Sequence, residues 1–475
     1  MKALLINPYI PLEIVYGKQS KDIGAVLPPL GIFYLASYLK SLNKHEVEVL
    51  DANALKMTSE KVLEHISRGN YNCIGFTSTT LAYPYAVESA KLIKENLKDI
   101  TLIIGGPHVQ GNSDNILADN PYLFDYICYG EGEFAFESLL DYLDRKIEKE
   151  ALIGWKYLDN NNIVTAPAAD IPANLDLFGH PSEIIPKELV PLYHEKIFAY
   201  KKLPLFSIMS SRGCPFRCTF CSTPRKFKNL YNGQVRFHSI DWIIKELFIL
   251  KEKFGVKEVI FVDDTFNLKI NRVMEFCETK IKNNLNLVWS CNFEANFANR
   301  DMMQKMKKAG CWSIMVGGES GSDKILKFIK KGVTSSQLLA VGKWANEVGI
   351  STRVSFILGL PTDTEETINH TLDFVRKSDF HFPYFQLYIP LPGTEMFDQL
   401  EQYGKVVKKD DKHKSANEVN YIPEGLTEES LLKLAKKAHK RTYLRWKMVK
   451  NHIKFIRSFQ DIVRYLRGFK ALINL

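Results

Sequence analysis

The sequence predicts an α/β protein built from two parallel-sheet domains and a helical C-terminal region. Two stretches, 1–145 and 201–400, alternate apolar runs with amphipathic helical patterns, as parallel strands joined by crossover helices do. Residues 146–200 between them lose this periodicity and contain five prolines, which indicates a linker. The last stretch, 401–475, is mostly helical and basic. A length of 475 residues agrees with two or three domains.

The composition is that of a globular protein, with 45% hydrophobic and 25% charged residues. The apolar run at the N-terminus is too short for a signal peptide. No apolar run reaches the roughly 18 residues that a membrane span needs. The formal charge of +9 permits an anionic partner without requiring one. We therefore expect a cytoplasmic protein.

In the first domain, strand patterns cover 2–6, 47–50, 74–77 and 101–104, and helical patterns cover 30–42 and 86–97. Apolar strands of this kind predict a doubly wound parallel sheet that is covered on both faces and binds ligands at the carboxyl ends of its strands. Composition alone leaves open a flavodoxin-like sheet that binds any cofactor or none. The strand-end loops carry small or hydrogen-bonding residues: Asn7, Pro8, Tyr9, Ser78, Thr79, Gly105, Gly106, His108, Gly130, Glu131 and Gly132.

In the second domain, strand patterns recur at 205–209, 259–262, 287–291, 313–316, 351–358 and 384–389. Helical patterns at 241–254, 273–283, 301–309, 324–329 and 365–377 separate them. Six strands with crossovers predict a partial or full barrel of the (β/α)6 type, with functional groups at the carboxyl ends. The acids Asp263 and Asp264 follow the second strand, and in isolation they suggest a divalent metal or a cationic ligand.

Eight cysteines lie unevenly along the chain, which does not indicate a disulfide framework. Three of them, Cys214, Cys218 and Cys221, fall within eight positions after an apolar run. A four-thiolate zinc site would need a further Cys or His pair nearby, and none follows closely. Three thiolates suit a cubane iron-sulfur cluster with one open iron, although three structural cysteines remain the alternative. The other five are expected to be buried small side chains: Cys73, Cys128, Cys277, Cys291 and Cys311.

The cysteine spacing C-x-x-x-C-x-x-C, with Phe220 before the last thiol, resembles the signature of the radical S-adenosylmethionine (SAM) family. The resemblance implies a [4Fe-4S] cluster on Cys214, Cys218 and Cys221. SAM would chelate its fourth iron and be cleaved to a 5'-deoxyadenosyl radical. Later strand ends match further family motifs, although Thr362-Asp363 replaces the usual Gly-Glu after the fifth strand. Together with the cysteine loop they imply SAM contacts at Phe220, Asp264, Gly318, Glu319, Lys331, Ser355 and Ile357, with Asp263 as a further candidate.

The first-domain loops, together with Leu27-Pro28-Pro29-Leu30-Gly31, resemble the cobalamin-binding domain of B12-type radical SAM proteins. These include class B methyltransferases and the anaerobic magnesium-protoporphyrin monomethyl ester cyclase. The resemblance implies cobalamin contacts at the eleven loop residues named above and at Gly31. Asn53 stands where the motif D-x-H-x-x-G has its ligand histidine. We therefore predict cobalamin without an axial His from the Asp51–Asn53 loop, and expect His108 to hydrogen-bond at the binding face or to pack.

The resemblance implies that the two cofactors face one another with an organic substrate between them. The leading hypothesis is methylation of an unactivated centre, usually carbon: methylcobalamin gives the methyl group, the radical abstracts a substrate hydrogen, and a second SAM restores the methyl. The alternatives are a non-methylating reaction such as oxidative ring formation, and a cobalamin sensor without turnover. No catalytic acid or base is identified, and Tyr9, His108 and Tyr388 are candidate cavity residues only. A reductase, ferredoxin or flavodoxin is the expected electron donor.

The C-terminal region is helical from 426 to 475, and its lysines and arginines far outnumber its acids. Apolar and aromatic residues interleave with the basic ones. We expect a helical cap that packs its apolar stripe on the barrel. Contact of this basic helix with an anionic membrane surface is the alternative. Nucleic-acid binding is not expected, because no reader motif accompanies the charge.

Overall fold

The computed structural model describes residues 1–16, 24–195, 199–223, 233–407, 418–443 and 462–463. Two large sheets, of seven and six strands, form the centres of two domains. Helices cover both sheets, so the strands are buried on both faces and read as continuous apolar runs. The α/β class predicted from the alternation of strand and helix patterns is confirmed.

The first sheet contains five parallel strands: β1 (Lys2–Asn7), β2 (Glu46–Asp51), β3 (Cys73–Thr77), β4 (Thr101–Gly105) and β5 (Tyr126–Cys128). Their order, β2-β1-β3-β4-β5, is that of a flavodoxin-like doubly wound sheet. The order in which the chain adds strands to the sheet reverses between β1 and β3. Ligands bind at such switch points, outside the carboxyl ends of the strands. The accompanying helices are Leu12–Tyr16, Leu30–Leu42, Ala52–Leu55, Ser59–Ser67, Tyr83–Asn96, Pro107–Gln110, Ser113–Asp119 and Gly132–Leu143.

A hairpin extends this sheet by two antiparallel strands, β6 (Trp155–Asp159) and β7 (Asn162–Thr165). Asn160 and Asn161 form its turn with φ angles of 48° and 65°, a left-handed conformation that asparagine tolerates. The sheet thus continues past residue 145 into the stretch predicted as a linker. It does so because β6 pairs with the edge of β5, a contact that local periodicity does not reveal.

The rest of the connecting segment packs between the two domains in short 3-10 turns, Leu175–Phe178, Pro181–Glu183 and Val190–Leu192. A further 3-10 turn, Lys149–Ala151, precedes the hairpin. The Tyr193 hydroxyl donates a hydrogen bond to Asp51 of the first domain, at 3.0 Å. On the other side, His180 lies 3.1 Å from the carboxylate of Glu246 in the second domain. The connector is therefore part of the folded interior.

The second sheet contains six parallel strands: β8 (Leu205–Ile208), β11 (Glu258–Phe261), β12 (Val288–Phe293), β13 (Cys311–Glu319), β14 (Ser351–Leu358) and β15 (Phe382–Leu387). They lie side by side in chain order, with β8 and β15 at the two edges. This is the partial form of the predicted barrel. Short pairs also form, β9 (Ser211–Arg212) with β10 (Arg236–Phe237), and β16 (Gly404–Val406) with β17 (Tyr421–Pro423).

The helices around this sheet are Ile240–Phe254, Ile270–Lys282, Arg300–Lys308, Asp323–Phe328, Ser335–Val348 and Glu365–Lys377, with 3-10 turns at Ala295–Phe297 and Phe397–Gln402. The helix Ser335–Val348 was absent from the sequence prediction. Its start carries a capping box in which Thr334 and Gln337 satisfy each other's backbone amides, and Gly349 ends it with a φ of 76°. These local signals could have revealed the helix.

The C-terminal region, 401–475, begins with the end of a 3-10 turn and the β16–β17 pair, and the predicted helical stretch follows as the helix Glu428–Tyr443. Its buried side chains Leu431, Leu434 and Ala438 face the helix Glu365–Lys377 and strand β15, as a cap would. Most of the predicted basic helix, residues 444–461 and 464–475, lies outside the described residues, so its membrane contact stays a prediction. None of the helices in the described ranges is long and apolar enough to cross a membrane.

Candidate active site

A cavity of about 790 Å³ opens between the two domains at the carboxyl ends of both sheets. Loops that follow β1, β3, β4 and β5 line it on one side, and the barrel contributes Gly213 and Asp264 on the other. Much of the remaining wall is apolar: Ile10, Leu12, Val15, Leu27, Leu35, Phe136, Trp155 and Met209. A cavity of this size and character is suited to a large, partly apolar ligand.

Eight of the twelve predicted cobalamin contacts line this cavity: Asn7, Gly31, Thr79, Gly105, Gly106, Gly130, Glu131 and Gly132. The other four, Pro8, Tyr9, Ser78 and His108, are not among its lining residues. The sequence prediction missed the apolar wall, because isolated apolar residues carry no motif that distinguishes a cavity wall from the core. Each assignment of a residue to cobalamin stays a prediction.

Ser78 and His108 connect neighbouring loops behind the cavity surface. The Ser78 amide donates to the Gly105 carbonyl at 2.9 Å, and the Ser78 carbonyl accepts from the His108 amide at 3.1 Å. The buried His108 ring packs against Tyr83, with ring centroids 4.5 Å apart, and its Nδ1 lies 3.2 Å from Thr80 Oγ1. Of the two roles considered for His108, packing fits its position behind the cavity surface. Tyr388, another candidate cavity residue, is also not among the residues that line the cavity.

Glycines shape the cavity wall in two ways. Gly106 has a φ of 101°, and a Cβ there would lie 2.8 Å from the backbone nitrogen of Ser78. A side chain at this position would push apart the loops after β3 and β4. At Gly31 and Gly130, by contrast, a Cβ would have no neighbouring atom within 4 Å. These two positions leave backbone open to the cavity, as the close approach of a flat macrocycle requires.

The loop after β2 contains no imidazole and is held by its own hydrogen bonds. Asp51 accepts from the Asn7 side chain at 2.8 Å and from the Ala54 amide at 3.1 Å. Burial raises the pKa of Asp51, although these hydrogen bonds oppose the shift. Asn53 lines the cavity, and its side-chain oxygen accepts from the Ile10 amide at 3.1 Å. Cobalamin bound without an axial His from the Asp51–Asn53 loop stays a prediction.

The cysteine loop leaves the end of β8 and is anchored at its base by Asp263. This fully buried carboxylate accepts from the amides of Ser210 and Ser211, each at 2.5 Å, and from the Ser210 hydroxyl at 2.7 Å. Farther along, the Thr219 amide donates to the Ile329 carbonyl at 3.0 Å. Asp263 therefore holds the loop, and Asp264 is the member of the acidic pair that faces the cavity.

The three predicted cluster ligands lie close enough to influence one another electrostatically. Cys218 is buried, while Cys214 and Cys221 are partly exposed. Burial raises the pKa of Cys218 to about 12, with Lys331 opposing and the other two thiols adding to the shift. Within the described ranges, no three His, Cys, Asp or Glu side chains converge as a single metal ion requires. In a cubane cluster each thiolate binds a different iron, so the three thiols need not converge on one point.

Most of the predicted SAM contacts lie in the cysteine loop or near the carboxyl ends of the barrel strands. The Asp264 side chain is exposed to the cavity, and its partial desolvation there, followed by the charge of Asp263, raises its pKa to about 6. Phe220 is partly buried against the core. On β14, Ser355 lies beside Tyr384 of β15 in the strand register, and Ile357 is buried.

Lys331 lies between two carboxylates in a buried cluster. Its ammonium nitrogen is 3.1 Å from Glu294 Oε2 and 3.6 Å from Glu319 Oε1. Burial alone would lower the pKa of Lys331, but Glu319 and Glu294 outweigh it and raise the pKa. Gly317 keeps space for this cluster, since a Cβ there would lie 2.9 Å from the Lys331 nitrogen, whereas a Cβ on Gly318 would lie 2.8 Å from the side chain of Val354. Glu294 was missed, although a carboxylate directly after β12 is the same strand-end signal that singled out Asp264.

Comparisons with known proteins agree with this two-part site. Residues 208–375 match the model of the radical SAM superfamily, and residues 21–140 match that of the B12 binding domain. An uncharacterized methyltransferase of Pyrococcus horikoshii is 31% identical over 449 residues, covering 94% of this chain and 94% of that protein. The chain belongs to the family of radical SAM enzymes with a B12-binding domain.

Other relatives of this radical SAM enzyme have diverse names. The anaerobic magnesium-protoporphyrin IX monomethyl ester cyclase of Rubrivivax gelatinosus is 26% identical, covering 84% of this chain and 70% of the cyclase. The bacteriochlorophyllide d C-12(1)-methyltransferase of Chlorobaculum tepidum is 27% identical, covering 84% of this chain and 78% of that enzyme. The predicted family is confirmed by these matches.

Two solved structures share the fold. The radical SAM methyltransferase TsrM from Kitasatospora setae, solved with cobalamin and a [4Fe-4S] cluster, has a TM-score of 0.71 at 16% identity, covering 100% of this chain and 99% of TsrM. The cobalamin-dependent enzyme OxsB has a TM-score of 0.65 at 19% identity, and the match covers 84% of this chain but only 55% of OxsB. Membership in this family confirms the predicted cofactors, a [4Fe-4S] cluster, SAM and cobalamin.

Proposed function

We propose that this cobalamin-dependent radical SAM enzyme methylates an unactivated carbon centre of an organic substrate. The main support for the proposal is that the two domains share one cavity. Loops from the B12-binding domain and the base of the cysteine loop line the same space. A substrate in that space would contact both cofactors at once, as methyl transfer to a radical requires.

In this proposal, Cys214, Cys218 and Cys221 hold the cluster, and the strand-end residues around Asp264 and Lys331 hold SAM. When bound, SAM and the cluster supply the 5'-deoxyadenosyl radical, and methylcobalamin supplies the methyl group. The open carboxylate of Asp264 suits a ligand ammonium group, and Lys331 would reach a ligand carboxylate in place of one of its two present partners, Glu294 and Glu319. The apolar wall near Leu35 and Met209 would keep water from reactive species.

The names of the relatives support methylation and identify the main alternative. The match to a relative that is named as a methyltransferase covers 94% of that relative, and another relative is named for methylation at a defined carbon position. The cyclase relative supports a non-methylating radical reaction instead. A small electron-donating protein or reductase would supply the reducing electron in either case.

The test uses SAM that carries a deuterated methyl group and does not require the substrate. Anaerobically reconstituted protein is loaded with cobalamin, reduced, and incubated with the labelled SAM. A methyltransferase should produce S-adenosylhomocysteine and place the labelled methyl group on its cobalamin. Mass spectrometry of the extracted cobalamin measures the label.

A matched control separates the two halves of the site. The Cys218→Ala variant should form no 5'-deoxyadenosine, and any label on its cobalamin would mark methyl transfer that does not need the cluster. If wild-type protein forms 5'-deoxyadenosine while its cobalamin stays unlabelled, the methylation proposal is refuted and the cyclase-like alternative is favoured. If wild-type protein forms neither product, a cobalamin sensor is favoured.

A further inference from the structure

Four charged side chains connect the two domains at the edge of the cavity. Arg212 donates to Glu131 Oε2 at 3.2 Å and to Glu133 Oε1 at 2.6 Å. Arg236 donates to the same Glu131 through both terminal nitrogens, at 3.1 Å to Oε2 and with a shorter contact to Oε1. It also donates to the Pro172 carbonyl at 3.2 Å. All four side chains line the cavity, and we refer to them as the interdomain clamp.

The clamp is well shielded from water and balanced in charge. Glu133 and Arg236 are 4% and 5% exposed. The rings of Tyr34 and Phe178 lie 5.2 and 4.9 Å from the Arg212 guanidinium carbon. The Arg212 guanidinium keeps its charge at any physiological pH, and Glu131 and Glu133 lie within hydrogen-bond distance of it. Two cations and two anions therefore compensate one another out of bulk water.

The clamp joins the two chain segments that matter most for the proposed site. Arg212 belongs to β9, two residues before Cys214, and pairs across the strand register with Arg236 of β10. Glu131 lies between Gly130 and Gly132, which line the cobalamin side of the cavity. Above the clamp, the Tyr34 hydroxyl donates to the Met209 carbonyl at 2.8 Å, a second link from the first domain to the base of the cysteine loop.

We propose that the interdomain clamp sets the distance between cobalamin and the iron-sulfur cluster, and that Glu133 and Arg236 are positioning residues for radical chemistry. Together with the Tyr34–Met209 hydrogen bond, the clamp ties the loop Tyr129–Gly132 to the base of the cysteine loop. A rigid, two-point ion pair between them fixes one loop against the other. The inference rests on the cofactor arrangement proposed above.

Misplacement matters because radical transfer requires the reacting groups to be in contact. A displacement of about 1 Å in an active site can reduce a rate by about 100-fold. Truncation of Glu133 leaves the Arg212 charge with one carboxylate shared between two guanidinium groups. The cysteine loop would then move relative to the loop Tyr129–Gly132 while the ligands of both cofactors remain unchanged.

The experiment measures the distance directly. In protein loaded with both cofactors, cob(II)alamin and the reduced cluster are each paramagnetic, and their magnetic dipolar interaction reports the distance between them. We compare wild type with Glu133→Ala, with Glu133→Gln as the conservative variant, and with Lys94→Gln as a matched control. Lys94 forms an ion pair with Asp125 at 2.9 Å within the first domain, away from the interface.

Wild type should give one narrow distance distribution. Glu133→Ala should shift or broaden it by about 1 Å or more and increase 5'-deoxyadenosine formed without product. Glu133→Gln, which can still accept from Arg212, should restore most of the wild-type distribution, and Lys94→Gln should match wild type. If Glu133→Ala fails to retain both cofactors, Arg236→Lys replaces it, because it keeps the charge and loses the two-point contact.

Two results would overturn the inference in distinguishable ways. A Glu133→Ala protein with lower thermal stability but a wild-type distance distribution would show that the clamp is only structural, and the proposed function would stand. If wild type itself shows no dipolar interaction, the two cofactors do not share the cavity, and the proposed arrangement is overturned together with the clamp.

Discussion

Gly106 offers a sharp test of the cobalamin side of the cavity. Its φ of 101° and ψ of −178° lie in a region that residues with a side chain hardly adopt. A Gly106→Ala substitution brings strain of about 1–3 kcal/mol from this conformation alone. The added methyl group would lie 2.8 Å from the Ser78 nitrogen and 2.9 Å from its oxygen, and both are backbone atoms that cannot rotate away.

The contact falls on a pair of backbone hydrogen bonds. The Ser78 amide donates to Gly105 and the Ser78 carbonyl accepts from His108, so displacement of Ser78 weakens at least one bond, at a cost of about 1 kcal/mol. We expect Gly106→Ala to lose about 3 kcal/mol in free energy of unfolding. Because both loops line the cavity, its affinity for cobalamin should fall about tenfold or more.

Gly31→Ala is the matched control, since Gly31 lines the same cavity but its Cβ would meet no atom within 4 Å. The position lies in the helix Leu30–Leu42, where alanine should add up to about 1 kcal/mol of stability. We expect Gly31→Ala to lower the affinity for cobalamin with no loss of stability. Urea unfolding measures stability, and absorbance titration with hydroxocobalamin measures affinity. A Gly106→Ala protein with wild-type stability and affinity would refute the reasoning.

Three further predictions concern the barrel. Cys218→Ala should lose most of its iron after anaerobic reconstitution, whereas Cys277→Ala, in the helix Ile270–Lys282, should retain it; a full SAM-binding cluster in Cys218→Ala would contradict the ligand assignment. Lys331→Gln leaves Glu294 and Glu319 facing each other without their cation, so stability should fall by about 3–5 kcal/mol and SAM should dissociate more readily in equilibrium dialysis. The exposed neighbour Lys330, paired with Glu395, is the control, and Lys330→Gln should change either quantity little. Burial raises the pKa of Glu258 from its ordinary 4.5 to about 7, although hydrogen bonds from Lys202, Lys201 and Trp312 oppose the shift. The native state therefore holds a proton that the unfolded chain has released, and the free energy of unfolding should fall by up to about 3 kcal/mol as pH rises from 4.5 to about 7. Glu258→Gln should lack most of this slope in urea titrations at successive pH values, and an unchanged slope would assign it to another group.

Local pattern was enough for most of the secondary structure. The predicted strand 351–358 and helix 365–377 coincide with the observed Ser351–Leu358 and Glu365–Lys377. Both have strong periodicity and clear boundaries, and the helix begins with a capping box at Thr364. Short elements such as β5 (Tyr126–Cys128) were missed, because three residues carry too little periodicity to stand out.

The candidate site was predictable only in part. Glycines and acids at strand ends are visible because parallel strands place their carboxyl ends at one edge of a sheet. Direction is not visible: Asp263 and Asp264 are neighbours in sequence, yet one faces the interior and the other the cavity. Successive residues near a strand end point to opposite sides, and which side is buried depends on what packs there.

The sequence by itself determined the class of protein. The class follows from the spacing of Cys214, Cys218 and Cys221 and from the order of the strand-end motifs. Both are properties of the sequence that can be read without knowing how the chain packs. Only the tertiary structure decided how the two halves meet. Residues far apart in the chain come together in the shared cavity. The same is true of the pairing of Lys331 with Glu294 and of the contacts of Arg212 with Glu131 and Glu133. Such contacts depend on how two sheets pack against a shared connector, and no periodicity along the chain encodes that geometry.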